Sequence, residues 1–412
     1  MRRLVVILTV LILLLPILLT ACGENGEETP TAISTATITD TTTVTTTPAP
    51  NMEPVKIGVI FTWSGPMSVA GILVDQVISL VEDQVKNAGG ILGGREVKFY
   101  RGDDSGLISQ SVAQAKKLAL DNKVSILTLG GISAAHFAAV ASAAEELKVP
   151  FVALSIITHV ATYNYSACTS GPEWAIGRTA NFIIDYVKPK TVAYLGWDSS
   201  DCRDTMNGVE GVIGVRDRLK AAGIDIVYED YFPQDTMDLS PYITKIKYLK
   251  PDLLVTGLNS AGQALMIFKE IAEQGGWGNI KYYNSTEASS SQSVVKMPAA
   301  LGTYTAVAWL PGSDEPGMKA FEDAFKQKYN RLPDPNQAYF YNTMWIAIKA
   351  IELAGTDDHD KVAQALRSGS LEWDSALGPL RIGSDGIGYA ASMVAHVQAG
   401  GKLVNVWTWY PE

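Results

Sequence analysis

Short apolar runs of strand length alternate with helix-length segments through most of the chain. Residues 55–61 are almost wholly apolar, and a loop containing Gly and Pro (62–71) leads into residues 74–87, where apolar side chains recur at helical spacing. The alternation then predicts strands at 97–101, 124–129 and 149–154 and helices at 109–120 and 134–147.

The alternation begins again after residue 178. Here the pattern predicts helices at 179–187, 208–222, 241–249 and 261–274, and strands at 191–196, 224–232, 253–257 and 281–284. From residue 303 it predicts a strand, helices near 317–329, 339–354 and 361–367, and a β-rich end that reaches Trp409. Strands that alternate with helices of this length form parallel sheets covered on both faces. The sequence therefore predicts an α/β fold with two doubly wound parallel-sheet lobes.

The N-terminus has the features of a secretory signal. Two arginines precede an apolar run over residues 4–19, and the letters LTAC at 19–22 place small residues before a cysteine. We expect residues 1–21 to be a lipoprotein signal peptide and Cys22 to carry a lipid anchor. The alternative is an uncleaved transmembrane helix, but the run is at the short edge of a bilayer span and contains Pro16.

Composition and charge limit the partners. Residues 22–54 are rich in Thr and Pro and almost lack large apolar side chains, so they predict a flexible linker. The net charge is −10, and removal of residues 1–21 takes away two arginines and no acid, which leaves −12. No basic cluster follows, so nucleic acid is not an expected partner. No second long apolar run follows either, so no other membrane span is expected.

Cysteine and histidine placement gives no catalytic or metal-binding pattern. With Cys22 lipidated, Cys168 and Cys202 remain in an exported chain, which favours a disulfide over two unrelated thiols. The chain has no G-x-S-x-G, H-E-x-x-H, C-x-x-C or P-loop motif, and its histidines lack metal-ligand spacing. We therefore expect no metal, no cofactor, and binding rather than catalysis. An exported hydrolase with an unrecognised site is the alternative.

Loops at the carboxyl ends of parallel strands are the expected place for a ligand. The letters GGISA at 130–134 are the sharpest candidate, because glycines permit a tight turn and Ser133 begins a helix whose free amides suit a carboxylate. An ordinary N-cap serine is the alternative. Ser155 and Thr158, after the next strand, could add hydroxyl groups.

Three further side chains could complete such a site. Glu287 follows the strand at 281–284 and could neutralise a ligand cation, although a solvated surface acid is the commoner role. Trp63 and Tyr339 could supply aromatic walls, although buried core positions are commoner for such residues.

Five segments occur in the order of a known family. They are VKIGVIFTWSGPMSVAG from residue 55, NAGGILGGREVKFYRGDD from 87, GGISAAHFAAVASAAEELKVPFVALS from 130, DLSPYITKIKYLKPDLLVTG from 238 and LGPLRIGSDGIG from 377. Together they resemble the leucine/branched-chain amino-acid-binding proteins of ABC importers, which have the type 1 periplasmic-binding fold. The resemblance covers nearly the whole chain from residue 55.

This resemblance implies two lobes that are discontinuous in sequence and joined by a three-segment hinge. The implied crossovers lie near 163–169, 300–304 and 373–377. The implied lobes are 55–165 with 302–374, and 166–301 with 375–412.

The resemblance also implies the ligand contacts. Those in the first lobe are Ser133 or Ala134 and the segment 156–158, including Ile157 and Thr158. Those in the second lobe are Glu287, facing a ligand amine, and Leu258 or Asn259. The chain departs from the family pattern, because Ile156 and Ile157 replace smaller residues and no Tyr follows the second-lobe strand. The resemblance therefore does not specify leucine.

The expected function is binding and delivery of a small solute. The resemblance implies a lipid-anchored extracytoplasmic protein that passes an amino acid, or a related amide or carboxylate, to an ABC permease after hinge closure. The alternative is a ligand-sensing receptor domain of the same fold.

Overall fold

The computed structural model describes residues 52–65, 68–156, 159–209, 211–233, 235–258 and 260–411. The predicted signal peptide, Cys22 and most of the predicted linker lie outside these ranges and stay predictions. The helices in these ranges include none with the length and hydropathy of a membrane span.

The first part of the chain alternates strands and helices as predicted. It contains β1 (Val55–Phe61), α1 (Ser68–Asn87), β2 (Val97–Asp103), α2 (Ile108–Leu120), β3 (Ile126–Leu129), α3 (Ala134–Leu147), β4 (Phe151–Ala153) and β5 (Ser166–Cys168). The five strands form one parallel sheet in the order β2-β1-β3-β4-β5. Helix α1 begins before the predicted residue 74. The prediction missed its start because the first turn lies outside the core, where Val69 is 69% exposed.

The middle of the chain builds most of the second lobe. It contains α4 (Pro172–Asn181), β6 (Thr191–Trp197), α5 (Ser200–Asn207), β7 (Gly208–Val209), β8 (Val212–Ile213), α6 (Val215–Ala221), β9 (Asp225–Phe232), α7 (Ser240–Leu249), β10 (Leu253–Gly257), α8 (Ala261–Glu273), β11 (Lys281–Asn284), α9 (Gln292–Val295) and β12 (Tyr304–Val307). Helix α4 continues as a π-helix over Phe182–Val187. The helix predicted at 208–222 is wrong in its first half, because β7 and β8 pair as an antiparallel hairpin there.

The last part of the chain contributes to both lobes. It contains α10 (Pro316–Tyr329), α11 (Pro335–Ala354), α12 (His359–Leu366), β13 (Leu371–Ser375), β14 (Gly378–Ile382), β15 (Gly388–Ala390), β16 (Ser392–Gln398) and β17 (Lys402–Trp409). Strands β16 and β17 extend the second sheet, whose order is β17-β16-β12-β11-β10-β6-β9, as antiparallel neighbours. The predicted fold class, two α/β lobes built on parallel sheets, is confirmed.

Helices α10 to α12 and the small sheet β13-β14-β15 pack with the first lobe. One hydrophobic cluster contains Val59 of β1, Met344 of α11 and Leu380 of β14, all of them buried. The first lobe is therefore completed by residues that come late in the sequence.

The chain crosses between the lobes three times, after β5, β12 and β15. Strand β5 pairs with β4 in the first sheet, β12 pairs with β11 in the second, and β15 pairs with β14 beside the first lobe. The lobe boundaries predicted at 166, 302 and 375 are therefore too early. A short apolar strand has the same pattern in either lobe, so its pairing with a neighbouring strand, and not its own sequence, decides the lobe to which it belongs.

Candidate functional site

A cavity of about 580 Å³ lies between the two lobes. The first lobe contributes the start of α3, the loop after β4 and the start of α11, while the second contributes α4, α5 and the loops after β10 and β11. The cavity thus lies beyond the carboxyl ends of strands in both sheets, where ligands of open α/β sheets bind. Its volume is in the range of small-molecule sites.

Seven of the predicted ligand positions line this cavity. They are Ser133, Ala134, Ser155, Ile156, Leu258, Glu287 and Tyr339. Residues that lie far apart in the sequence therefore meet at one place.

The other predicted positions do not add to the described wall. Trp63 is not among the lining residues, because its indole N–H donates to Asp75 Oδ1 at 2.9 Å beside helix α1. Ile157, Thr158 and Asn259 lie outside the residues that the structure describes, so their roles stay predictions.

Ser133 begins helix α3 but does not cap it in the ordinary way. Its hydroxyl accepts no hydrogen bond from the first-turn amides and instead lies 2.7 Å from Nδ1 of His136. Ser260, at the start of α8, by contrast accepts from the backbone N–H of Gln263. The first amides of α3 and the positive end of its dipole therefore stay available for an anion.

The turn before α3 requires its glycines. Gly130 and Gly131 have φ values of 87° and 118°, in the left-handed region that favours glycine. A Cβ on Gly130 would lie 2.5 Å from Cζ of Phe151, and one on Gly131 would lie 2.7 Å from Cβ of His136. The tight turn expected from the sequence is present, and it brings the start of α3 to the cavity.

Glu287 and Tyr339 meet across the cavity. Glu287 follows β11 in the second lobe, and the hydroxyl of Tyr339, in α11 of the first lobe, donates to its Oε1. Burial raises the pKa of the Glu287 carboxyl to about 7, although the Tyr339 hydroxyl and the charge of Arg178 lower it in part. Burial and the adjacent carboxylate raise the pKa of Tyr339, so its phenol remains a donor.

The cavity residues of α4, which include Trp174 and Arg178, were not predicted from the sequence. Arg178 is 2% exposed, and its Nη2 donates to the carbonyl oxygen of Ser285 at 2.7 Å. Its guanidinium lies 4.4 Å from the ring centroid of Trp174. Within the described part of the chain, Nε of Arg178 has no hydrogen-bond partner. This buried cation adds positive potential beside Glu287.

The start of α4 explains why these residues were missed. The sequence prediction began this helix at residue 179, after the part that reaches the cavity. Pro172 was the available signal, because proline favours the first helical turn.

The predicted disulfide between Cys168 and Cys202 is wrong. Both cysteines are free thiols. Cys168 lies in β5 of the first lobe, and its thiol donates to the carbonyl oxygen of Gly386 at 3.7 Å. Cys202 lies in α5 of the second lobe, and its thiol donates to the carbonyl oxygen of Gly257 at 3.5 Å. Burial raises the pKa of the Cys202 thiol to about 11. The prediction failed because it placed Cys168 beyond the first crossover, whereas β5 pairs with β4 at the edge of the first-lobe sheet.

Comparison with known proteins gives one family and one fold. Residues 54–402 match the family model described as periplasmic binding protein. A Brucella abortus protein named as a Leu/Ile/Val-binding protein homolog is 23% identical over 386 residues, which cover 87% of this chain and 92% of that protein.

Two solved structures share this architecture. A solute-binding protein of an ABC transporter from R. palustris, in complex with 4-hydroxybenzoate, has a TM-score of 0.74 and 24% identity, with 87% of this chain and 97% of that one covered. A branched-chain amino acid transporter substrate-binding protein from Streptococcus pneumoniae, in complex with isoleucine, has a TM-score of 0.73 and 18% identity, with 87% and 100% covered. At these identities the likeness concerns the fold.

Proposed function

This chain belongs to the periplasmic-binding-protein family, as its resemblance to the leucine/branched-chain amino-acid-binding proteins predicted, and we propose that it is the extracytoplasmic solute-binding protein of an ABC importer. Its ligand is a small polar molecule, an amino acid or a related amide or carboxylate, bound in the cavity between the lobes. Closure of the second lobe over the ligand creates the surface that the permease recognises. A ligand with micromolar affinity supplies about 8 kcal/mol, enough to shift a modest open–closed equilibrium.

One observation carries this proposal: the start of α3 and Glu287 face the same cavity from opposite lobes. An anionic group of the ligand accepts from the first-turn amides of α3 and from the Ser133 hydroxyl. An amino group at the other end donates to Glu287, in place of or beside the Tyr339 hydroxyl. Contacts from both lobes to one ligand make its binding favour the closed arrangement.

Aromatic acids are the second candidate ligands. Phe137, Trp174 and Tyr339 line the cavity and offer apolar ring surfaces. The R. palustris relative binds 4-hydroxybenzoate, and in this chain a phenol could donate to Glu287 as an ammonium would.

We further propose that the mature protein is lipid-anchored through Cys22. The apolar run before LTAC and the Thr-rich segment after it support this arrangement.

A thermal-shift screen of amino acids, amides and small carboxylates, including 4-hydroxybenzoate, tests the function. Calorimetry of the hits should give one ligand per chain and an affinity that falls in Ser133→Ala. Catalytic turnover of an ester, amide or glycoside probe would instead favour an exported hydrolase.

A further inference from the structure

We infer that His136 positions the Ser133 hydroxyl as a hydrogen-bond donor to the ligand: Nδ1–H of His136 donates to Ser133 Oγ, and the Ser133 proton is directed into the cavity. The ligand contact rests on the proposed function. The placement of the protons on His136 Nδ1 and Ser133 Oγ does not depend on the proposed function. It can be measured in the free protein.

Two contacts, one present and one missing, carry the inference. Ser133 Oγ lies 2.7 Å from His136 Nδ1, which is hydrogen-bond distance. The His136 side chain is 6% exposed, and its Nε2 has no hydrogen-bond partner among the described residues. Among the described residues, Nδ1 of His136 is therefore paired and Nε2 is buried without a hydrogen-bond partner.

The pairing selects the tautomer. A neutral imidazole has one N–H donor and one acceptor nitrogen, and the hydrogen bond at one nitrogen decides where the proton lies. Protonation at Nε2 would bury an N–H group that has no acceptor. Such groups are rare because burial removes their hydrogen bonds to water and no protein hydrogen bond replaces them. Protonation at Nδ1 pairs the donor with Ser133 and leaves only a lone pair unmatched. His136 is therefore a donor to Ser133.

Packing fixes the ring in this position. The space beside the His136 ring exists because Gly131 has no side chain: a Cβ there would lie 2.7 to 2.9 Å from His136 Cβ, Cγ and Cδ2. The ring also lies in the first turn of α3, three residues after Ser133, so helix geometry brings the two side chains together.

The consequence is a directed donor at the anion end of the cavity. The Ser133 oxygen accepts from His136, so its own proton is free for a second partner, and each hydrogen bond in such a chain strengthens the next. A ligand group that accepts, such as a carboxylate, is favoured at this end. A carboxamide placed with its NH₂ toward Ser133 would face a donor and bind less tightly. His136 thus acts as a positioning residue that selects carboxylates over amides.

Nitrogen NMR on the free full-length protein tests the tautomer without any ligand. The experiment uses ¹⁵N-labelled histidine and long-range proton–nitrogen correlations, with the His136 signals assigned by their loss in His136→Gln. We expect a protonated Nδ1 and an unprotonated Nε2. A protonated Nε2 in the neutral ring would overturn the inference whatever the protein binds.

A double-mutant cycle tests the effect on binding, with L-isoleucine, L-isoleucinamide and 4-hydroxybenzoate as calorimetric probes. Ser133→Ala should weaken carboxylate binding by about tenfold to a hundredfold, as expected for a charge-assisted hydrogen bond. His136→Phe should weaken it by about fivefold or more in the wild-type background but by less than about twofold in Ser133→Ala, because Ser133 transmits its effect. His136→Asn, which keeps a donor near Nδ1, should recover part of the loss.

The controls separate this inference from the proposed function. His359→Gln changes a histidine that does not line the cavity and should leave affinity unchanged. Equal losses from His136→Phe in both Ser133 backgrounds would overturn the positioning role. If none of the three probes binds, the proposed function fails for those ligands, and the NMR result alone decides the placement of the protons.

Discussion

The Tyr339 hydroxyl of the first lobe donates a hydrogen bond to the Glu287 carboxylate of the second lobe. The Tyr339 ring also packs edge-on against Trp174 of the second lobe, with centroids 6.3 Å apart and planes at 81°. One side chain of α11 therefore makes polar and aromatic contacts with the opposite lobe. A ligand that reaches Glu287 must share or replace this contact, so the pair links occupancy of the cavity to the arrangement of the lobes.

Glu287→Gln should distinguish ligands that carry an amine. The substitution keeps the shape and an oxygen acceptor for Tyr339 but removes the charge that pairs with a ligand ammonium. We expect affinity for an amino acid that binds the wild type to fall by about 1–3 kcal/mol, and affinity for its deaminated analogue to change much less. Calorimetry with both compounds checks this, and equal losses would show that Glu287 does not recognise an amine.

Glu287 should also make the stability of the protein depend on pH. Its folded-state pKa, about 7, lies above the ordinary value of 4.5 for a glutamate, so the unfolded chain ionises first as pH rises. The contribution of protonated Glu287 to the free energy of unfolding is fully present below pH 4.5. It is lost as the pH rises from 4.5 to about 7. Glu287→Gln has no carboxyl group to ionise, so this loss is absent in the variant. The unfolding free energy of the variant minus that of the wild type should therefore be about 1–3 kcal/mol larger at pH 8 than at pH 4.5.

Urea unfolding of both proteins at pH 4.5 and pH 8 measures this difference, and Tyr339→Phe is the matched control. The Tyr339 hydroxyl lowers the pKa of Glu287, so its removal should move the loss of stability to higher pH while the ring contact with Trp174 remains. A difference between Glu287→Gln and wild type that does not change with pH would contradict the raised pKa.

Cys168 and Cys202 should remain reduced thiols in protein purified from an oxidising compartment. Both are buried, and the raised pKa of Cys202, about 11, keeps little thiolate at neutral pH. Alkylation at pH 8 should be slow in the folded protein and rapid in urea without a reductant, with both alkylated peptides seen by mass spectrometry. A disulfide-linked peptide containing both residues would contradict the placement of β5 in the first lobe.

Cys22→Ser tests the lipid anchor. The variant should leave the membrane fraction, or accumulate with its signal peptide retained, because serine lacks the thiol that accepts the lipid. Fractionation and mass spectrometry of the N-terminus give the result. A mature wild-type chain that begins at a residue other than 22 would exclude the anchor.

The sequence predicted those parts of the fold that local patterns determine. Strand β1 and helix α3 have the bounds that their apolar patterns indicated, because β1 is buried along nearly its whole length and α3 buries one face. The lobe boundaries were misplaced because β5 and β12 are short strands, and pairing with β4 and with β11 decides which sheet each of them joins. The sequence of a strand this short does not specify its partner.

The site was predicted where loop position and chemistry agreed and missed where they did not. Ser133 and Glu287 follow strands and carry polar groups, so topology alone brought them to the cavity. Arg178 lies inside a helix, and its buried position beside Trp174 depends on how α4 packs. The Ser133–His136 pair was missed because Ser is an ordinary helix cap, and only the geometry shows its hydroxyl turned toward the imidazole.

A crystal structure of the protein with the tightest ligand from the thermal-shift screen would show whether the ligand lies between Ser133 and Glu287. We expect one ligand between the lobes, with an anionic group at the start of α3 near Ser133 and its other polar end at Glu287. Ligand density away from the interlobe cavity, or in the cavity without contact to either of these residues, would contradict it.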